Sequence, residues 1–127
     1  MQSLLDTHQH LLYTKKATYN WTKDIPALAE NDFTVDDYNS LTKEHGVAGS
    51  LFMEVDASDY KEETRFIKNI SEDSKNNIKG LIVSIRPESE DEFDSWLNES
   101  TSIGVVGYRR ILHVMDDAVS QSNIFRE

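Results

Sequence analysis

The 127 residues suffice for one compact domain, and a hydrophobic content of 38% is typical of globular proteins. The net charge of −10 argues against nucleic acid or an anionic membrane surface as a partner, because both bind clustered Lys and Arg. The sequence has no stretch that could span a bilayer, no signal peptide at its start and no Cys for disulfides, thiol catalysis or metal binding, so we expect a cytoplasmic protein.

Apolar runs alternate with amphipathic segments from the start of the chain. A first strand is predicted at about residues 4–10, and a polar stretch with a breaker at Pro26 follows it. Thr34 and Asp37 have the spacing of a capping box, which predicts a helix that ends before Gly46. A second strand is predicted at 49–55, and the next helix follows it with an apolar stripe of Tyr60, Thr64, Ile67 and Ile70.

Two further units follow the same pattern. The third strand is predicted at 81–85, and a capping box at 89–92 precedes a helix with Phe93, Trp96 and Leu97 facing inward. The fourth strand is predicted from about Ile103 to Leu112, and another helix begins near 120–122.

Four alternating strands and helices predict an α/β fold with parallel strands. Four β/α units fit either a small open sheet or half of an eight-unit barrel. The amphipathic segment that begins at Ile124 and Phe125 favours truncation. We therefore expect residues 1–127 to be the N-terminal half of a (β/α)8 TIM barrel, without strands 5–8.

His8 and His10 are the sharpest local signal for chemistry. Side chains two residues apart in a strand point to the same side, so both imidazoles are expected to project together from the end of the first strand. Two converging imidazoles form half of a divalent metal site, and the carboxyl ends of parallel strands are where ligands bind. A pair of solvated or hydrogen-bonded histidines is the alternative.

Polar side chains also stand at the ends of the other predicted strands. These are Glu54, Arg86, Arg109 and His113. The planar guanidinium of Arg109 suits a carboxylate or another oxyanion, which indicates an acidic or lactone-type small molecule. For Glu54, a structural salt bridge and a role in the site remain open, and for Arg110 we favour an ion pair.

Five segments resemble the amidohydrolase superfamily, and most of them its amidohydrolase-2 branch. The segment at 5–11 resembles the first strand of the superfamily, and the segments at 33–38, 46–55, 105–113 and 120–127 resemble the branch, with sugar-lactone and pyrone-dicarboxylate lactonases as the suggested relatives. The resemblance implies a hydrolase that cleaves a cyclic ester by water attack at the carboxyl end of the barrel. It places His8 and His10 at the metal position, for a zinc-like divalent ion, or at the substrate in metal-independent members.

By the same resemblance, Arg109 lies near a carboxylate or carbonyl oxygen of the substrate. We place His113 and Glu54 with it in the substrate-binding set because of their strand-end positions. The family's general-base Asp, on the eighth strand, is expected beyond residue 127. We therefore expect the 127-residue chain to be inactive alone. Because a half-barrel exposes unpaired strand edges, we also expect it to self-associate, as a homo-oligomer, or to be poorly folded. A metal-dependent decarboxylase or amide hydrolase of the superfamily, and a non-catalytic four-strand α/β binding module, remain alternatives.

Overall fold

The structure is a computed structural model that describes residues 2–127. Strands and α-helices alternate along these residues in the order β1 (Leu4–Gln9), α1 (Val35–Thr42), β2 (Val47–Met53), α2 (Tyr60–Glu72), β3 (Ile78–Ser84), α3 (Glu90–Ser102), β4 (Gly107–Arg109), α4 (Asp117–Gln121) and α5 (Asn123–Arg126). All neighbouring strands pair in parallel, in the sheet order β1-β2-β3-β4. This arrangement confirms the predicted α/β fold and is that of a partial (β/α)8 barrel.

The main core lies where the helices cover the sheet. Phe52, Leu81 and Val83 from the strands pack with Ile67 of α2 and Trp96 of α3, and all five side chains are buried. The sheet also carries large apolar side chains outside this core: Leu5 is 54% exposed and Val106 is 60% exposed. Within residues 2–127, none of the helices is both long and apolar enough to cross a bilayer.

The first predicted helix begins as expected. The Thr34 side chain accepts a hydrogen bond from the Asp37 N–H at 3.2 Å, and the Asp37 carboxylate accepts one from the Thr34 N–H at 2.9 Å. The helix ends at Thr42, and Gly46 adopts a φ of 72° just before β2, a left-handed conformation that favours glycine.

Several details of the elements differ from the prediction. The prediction of a capping box at Ser89 is wrong, because Ser89 has a backbone ψ of 74° and its side chain makes no capping hydrogen bond. The fourth strand is much shorter than predicted, because α3 continues to Ser102 and only the residues opposite Ile82–Ser84 pair with β3. The chain after β4 contains two short helices, the first of which begins at Asp117.

Candidate active site

His8 and His10 lie side by side at the carboxyl end of β1. Their Nε2 atoms are 3.1 Å apart, and the ring centroids are 4.7 Å apart with the planes almost perpendicular. The two imidazoles therefore occupy the same side of the strand, which is what a pair of ligands for one ion requires. Their assignment as metal ligands stays a prediction.

The surroundings of His10 favour a neutral ring with its lone pair on Nε2. Its Nδ1 lies 2.9 Å from the Met53 carbonyl oxygen, which can only accept, so the proton belongs on Nδ1 and the Nε2 lone pair accepts a hydrogen bond from the His8 Nε2, 3.1 Å away. Burial lowers the pKa of His10, and the nearby His8 and Arg109 lower it further, against the opposing effect of the Met53 carbonyl. His10 is therefore suited to bind a cation through Nε2 at neutral pH.

Asp6 does not join the two imidazoles, although it has the same parity in the sequence. The pairing of β1 with β2 is irregular between Asp6 and Gln9, and the Asp6 carboxylate accepts hydrogen bonds from the Tyr38 hydroxyl at 2.7 Å and the His8 N–H at 3.0 Å. These bonds, chiefly that from Tyr38, lower the pKa of Asp6 and engage its carboxylate with α1. Within the part of the chain that the structure describes, no group of three His, Cys, Asp or Glu is placed to hold a metal ion.

Arg109 is held by Glu54 across the sheet. The Arg109 Nε donates to Glu54 Oε1 at 2.6 Å, and its Nη2 donates to the Glu54 backbone carbonyl. The second carboxylate oxygen of Glu54 accepts the Asp56 N–H at 2.7 Å. Glu54 is only 1% exposed and both its carboxylate oxygens are engaged, which favours the structural salt bridge among the two roles that the sequence leaves open. Its place is behind Arg109, where it fixes the guanidinium.

A pocket of about 380 Å³ opens at this end of the sheet. Its lining includes His10, Trp21, Val55, Arg109, Ile111 and His113. The volume suits a small molecule. His113 is exposed in the turn after β4, yet it reaches the same pocket as Arg109.

Trp21 also belongs to the pocket, and the sequence did not single it out as a site residue. Its indole Nε1 donates to the Val55 carbonyl at 2.7 Å, which anchors the long loop after β1 against the end of β2. The signal in the sequence for this pocket residue is an aromatic side chain in the long loop that follows the first strand.

The other two arginines at strand ends point to structural partners. Arg86 donates to the Ala57 carbonyl at 3.1 Å, and its guanidinium lies 4.4 Å from the centre of the Tyr60 ring. Arg110 forms an ion pair with Glu88, with its Nε 2.8 Å from the carboxylate. Arg109 is therefore the strand-end arginine that contributes to the pocket.

Solved structures similar to this chain include the following two proteins. The first is an amidohydrolase 2 from Bifidobacterium longum subsp. infantis, with a TM-score of 0.56 and 25% identity over 68% of this chain and 35% of that one. The second is a probable 2-pyrone-4,6-dicarboxylic acid hydrolase from Acinetobacter baumannii with citric acid bound, with a TM-score of 0.67 and 15% identity over 98% of this chain and 43% of that one. No protein-family model and no curated protein matches the sequence.

The chain thus spans less than half the length of either structure. At 15% identity the second match establishes a shared fold, while the first adds sequence similarity over two thirds of the chain. The resemblance to the amidohydrolase-2 branch that the sequence predicts is confirmed.

Proposed function

We propose that the pocket binds a small carboxylate-bearing cyclic ester and that the protein is a hydrolase of the amidohydrolase superfamily, acting on a lactone. The observation that carries the proposal is the meeting of His10 and Arg109 in one pocket at the carboxyl ends of parallel strands. The similar structures support the same class, since one is named as an amidohydrolase and the other as a probable hydrolase of a pyrone dicarboxylate.

Arg109 is the group that we assign to the substrate's carboxylate or carbonyl oxygen. A guanidinium presents five N–H donors in a rigid fork. The contacts with Glu54 use its Nε and one Nη2 hydrogen, so Nη1 remains available to a ligand. Because the buried Glu54 fixes the plane of the guanidinium, little side-chain entropy is lost when an oxyanion binds.

His8 and His10 are the residues that would hold a divalent metal. Tetrahedral zinc with Zn–N bonds of 2.0–2.1 Å requires two ligand nitrogens roughly 3.4 Å apart, close to the 3.1 Å between the two Nε2 atoms. The Met53 carbonyl fixes the His10 ring in the way that outer-shell partners fix metal-bound imidazoles. A bound metal would supply Lewis acidity towards the ester carbonyl. The fit is that of half a ligand set.

This chain's own residues contribute binding and orientation. Arg109 orients the acidic end of the substrate, and the apolar side chains of Val55 and Ile111, with the Trp21 indole, exclude water around the ring. We assign no general base to residues 2–127. In line with the family resemblance, we propose that an aspartate outside this chain activates the attacking water.

Titration calorimetry with two probes tests the anion-binding part of the proposal. The probes are citrate, because the similar dicarboxylate hydrolase binds citric acid, and 2-pyrone-4,6-dicarboxylate. We expect Arg109→Lys to weaken both roughly tenfold to a hundredfold, because the directed pair of charge-assisted hydrogen bonds is lost. Arg126→Lys, an exposed arginine in α5, is the matched control and should bind as the wild type does.

Two results would contradict the proposal. Equal binding by the wild type and Arg109→Lys would remove Arg109 from the site.

Turnover tests the substrate class: protein extended to the full barrel should hydrolyse lactones in a panel that also contains amides and aromatic acids. Exclusive activity on amides, or decarboxylation of the acids, would replace the lactone assignment with one of the other reactions of the superfamily.

A further inference from the structure

Glu63, the fourth residue of α2, is a buried acid. It is 1% exposed, and among residues 2–127 neither of its carboxylate oxygens has a hydrogen-bond partner. Glu54 is equally buried, but both its oxygens accept hydrogen bonds from Arg109 and Asp56. An ionised carboxylate in the position of Glu63 lacks the compensation that Glu54 receives, so its neutral form is favoured.

The acidic groups around Glu63 also favour its neutral form. Burial raises its pKa most, and the charges of Glu54, Asp59 and Asp56 add to this, to a value of about 8. The Val55 N–H partly offsets the effect without reaching full hydrogen-bonding geometry. On the loop after β1, Tyr19 faces the same space, and its own pKa is raised by burial and by Glu63.

The segment between Glu63 and the pocket is under local constraint. Asp56 has a φ of 53°, in the left-handed region, and its N–H is held by the Glu54 carboxylate at 2.7 Å. The neighbouring Val55 carbonyl accepts the Trp21 indole at 2.7 Å. A change in the charge near Glu54 therefore reaches Arg109 directly and Trp21 through the Val55–Asp56 backbone, and both residues line the pocket.

We propose that Glu63 is a positioning residue that works through its proton: a neutral Glu63 leaves Glu54 committed to Arg109 and Asp56, and an ionised Glu63 repels Glu54 and loosens the wall formed by Val55 and Trp21. The two carboxylates belong to different elements, the end of β2 and α2, so their repulsion separates the strand end from the helix. The inference rests on the proposed function only in taking Arg109 as the anion-binding group.

Fluorine NMR of protein labelled with 5-fluorotryptophan tests the proposal, because the chain has two tryptophans and gives two resonances. From about pH 6 to about pH 9.5, the Trp21 resonance should move in one step with a midpoint near the pKa of about 8. The Trp96 resonance should not follow this step, because its indole is buried in the core and donates to the Ser84 carbonyl at 2.9 Å. Trp21→Phe assigns the signals.

The isosteric variant Glu63→Gln should abolish the step in the Trp21 resonance. Its matched control is Glu72→Gln, at an exposed position at the end of the same helix, which should keep the step. Citrate binding gives a second readout: affinity should fall roughly tenfold between about pH 7 and about pH 9.5 in the wild type and stay level in Glu63→Gln.

The wild-type titration decides the matter even if Glu63→Gln does not fold. A Trp21 resonance without a step near pH 8 overturns the proposal, and so does a step that persists in folded Glu63→Gln. If citrate binds at no pH while the Trp21 step is present and depends on Glu63, the anion-binding function fails and the positioning role of Glu63 stands.

Discussion

The proton on Glu63 also predicts how the stability of the protein changes with pH. An acid whose pKa is higher in the folded state than in the unfolded state contributes stability that is complete below the unfolded value and is lost as pH rises towards the folded value. For Glu63 this stability is lost over the pH range between its ordinary pKa of 4.5 and its raised pKa of about 8. The full difference corresponds to about 5 kcal/mol of unfolding free energy, as an upper limit.

The substitution Glu63→Gln isolates this contribution, because glutamine keeps the shape of the acid and cannot ionise. At about pH 6 the wild type has lost about 2 kcal/mol of the contribution, and at about pH 9 nearly all of it. The stability of Glu63→Gln relative to the wild type should therefore increase by about 3 kcal/mol between the two pH values. Other titrating groups cancel in this comparison.

Urea unfolding followed by circular dichroism measures the effect. With a denaturant slope of about 2 kcal/mol per molar urea, 3 kcal/mol corresponds to a midpoint shift of about 1.5 M. Glu72→Gln should track the wild type throughout, since its side chain is exposed. A difference between Glu63→Gln and wild type that is the same at pH 6 and pH 9 would show that Glu63 is ionised in the folded protein, and the reasoning would be refuted.

Three further substitutions test the site and the fold. Glu54→Gln should lower the unfolding free energy by roughly 2–4 kcal/mol in urea, because it leaves a guanidinium with a 29% exposed side chain without its charge partner, whereas Glu92→Gln at an exposed pair should cost much less; equal losses would contradict the argument. Asp37→Ala should lower the urea midpoint of unfolding, because it removes the acceptor for the Thr34 N–H in the capping box of α1, and an unchanged midpoint would mean that the box is not needed. His10→Ala should weaken zinc binding at least roughly tenfold in competition with a chromophoric chelator, while the exposed His45→Ala should not; zinc binding unaffected by His10→Ala would exclude the pair as ligands.

Local patterns predicted the elements best where neighbouring residues alone determine the structure. The capping box at Thr34 formed because both partners lie within one helical turn. The same pattern failed at Ser89, where the preceding turn after Pro87 sets a backbone that is not extended. The fourth strand was overestimated because apolar character alone does not determine pairing: Ile103 and Val105 belong to the end of α3 and its turn, with Gly104 at a φ of 82°.

The site was predictable to the extent that strand alternation determines it. Alternation places His8 and His10 on one side, but it does not show that the Asp6 carboxylate is engaged by the Tyr38 hydroxyl and that the pairing of β1 with β2 is irregular after Asp6. It also does not show that Glu54 is buried behind Arg109, since that depends on how far a long side chain reaches across two strands. The ion pair and the pocket are results of tertiary packing.

Glu63 could have been found from the sequence. It lies three residues after Tyr60 and four before Ile67, on the helical stripe that packs against the sheet, and an acid in such a stripe is expected to be buried. Glu62 and Glu63 together have the composition of an ordinary solvated helix start, and Glu62 is indeed exposed. Composition therefore does not distinguish the two acids, whereas the helical periodicity assigns Glu62 to the exposed side and Glu63 to the buried side.

The pairing of Arg109 with Glu54 also determines what kind of anion the pocket can select. Glu54 already forms an ion pair with the guanidinium, so Arg109 attracts an anion less by net charge than by the direction of its remaining N–H groups. Two parallel N–H donors at the Nη end match the two oxygens of a planar carboxylate and not a spherical ion. In a chain with a net charge of −10, Arg109 therefore selects anions by their shape more than by their charge. Citrate should outcompete chloride at Arg109 even at high salt.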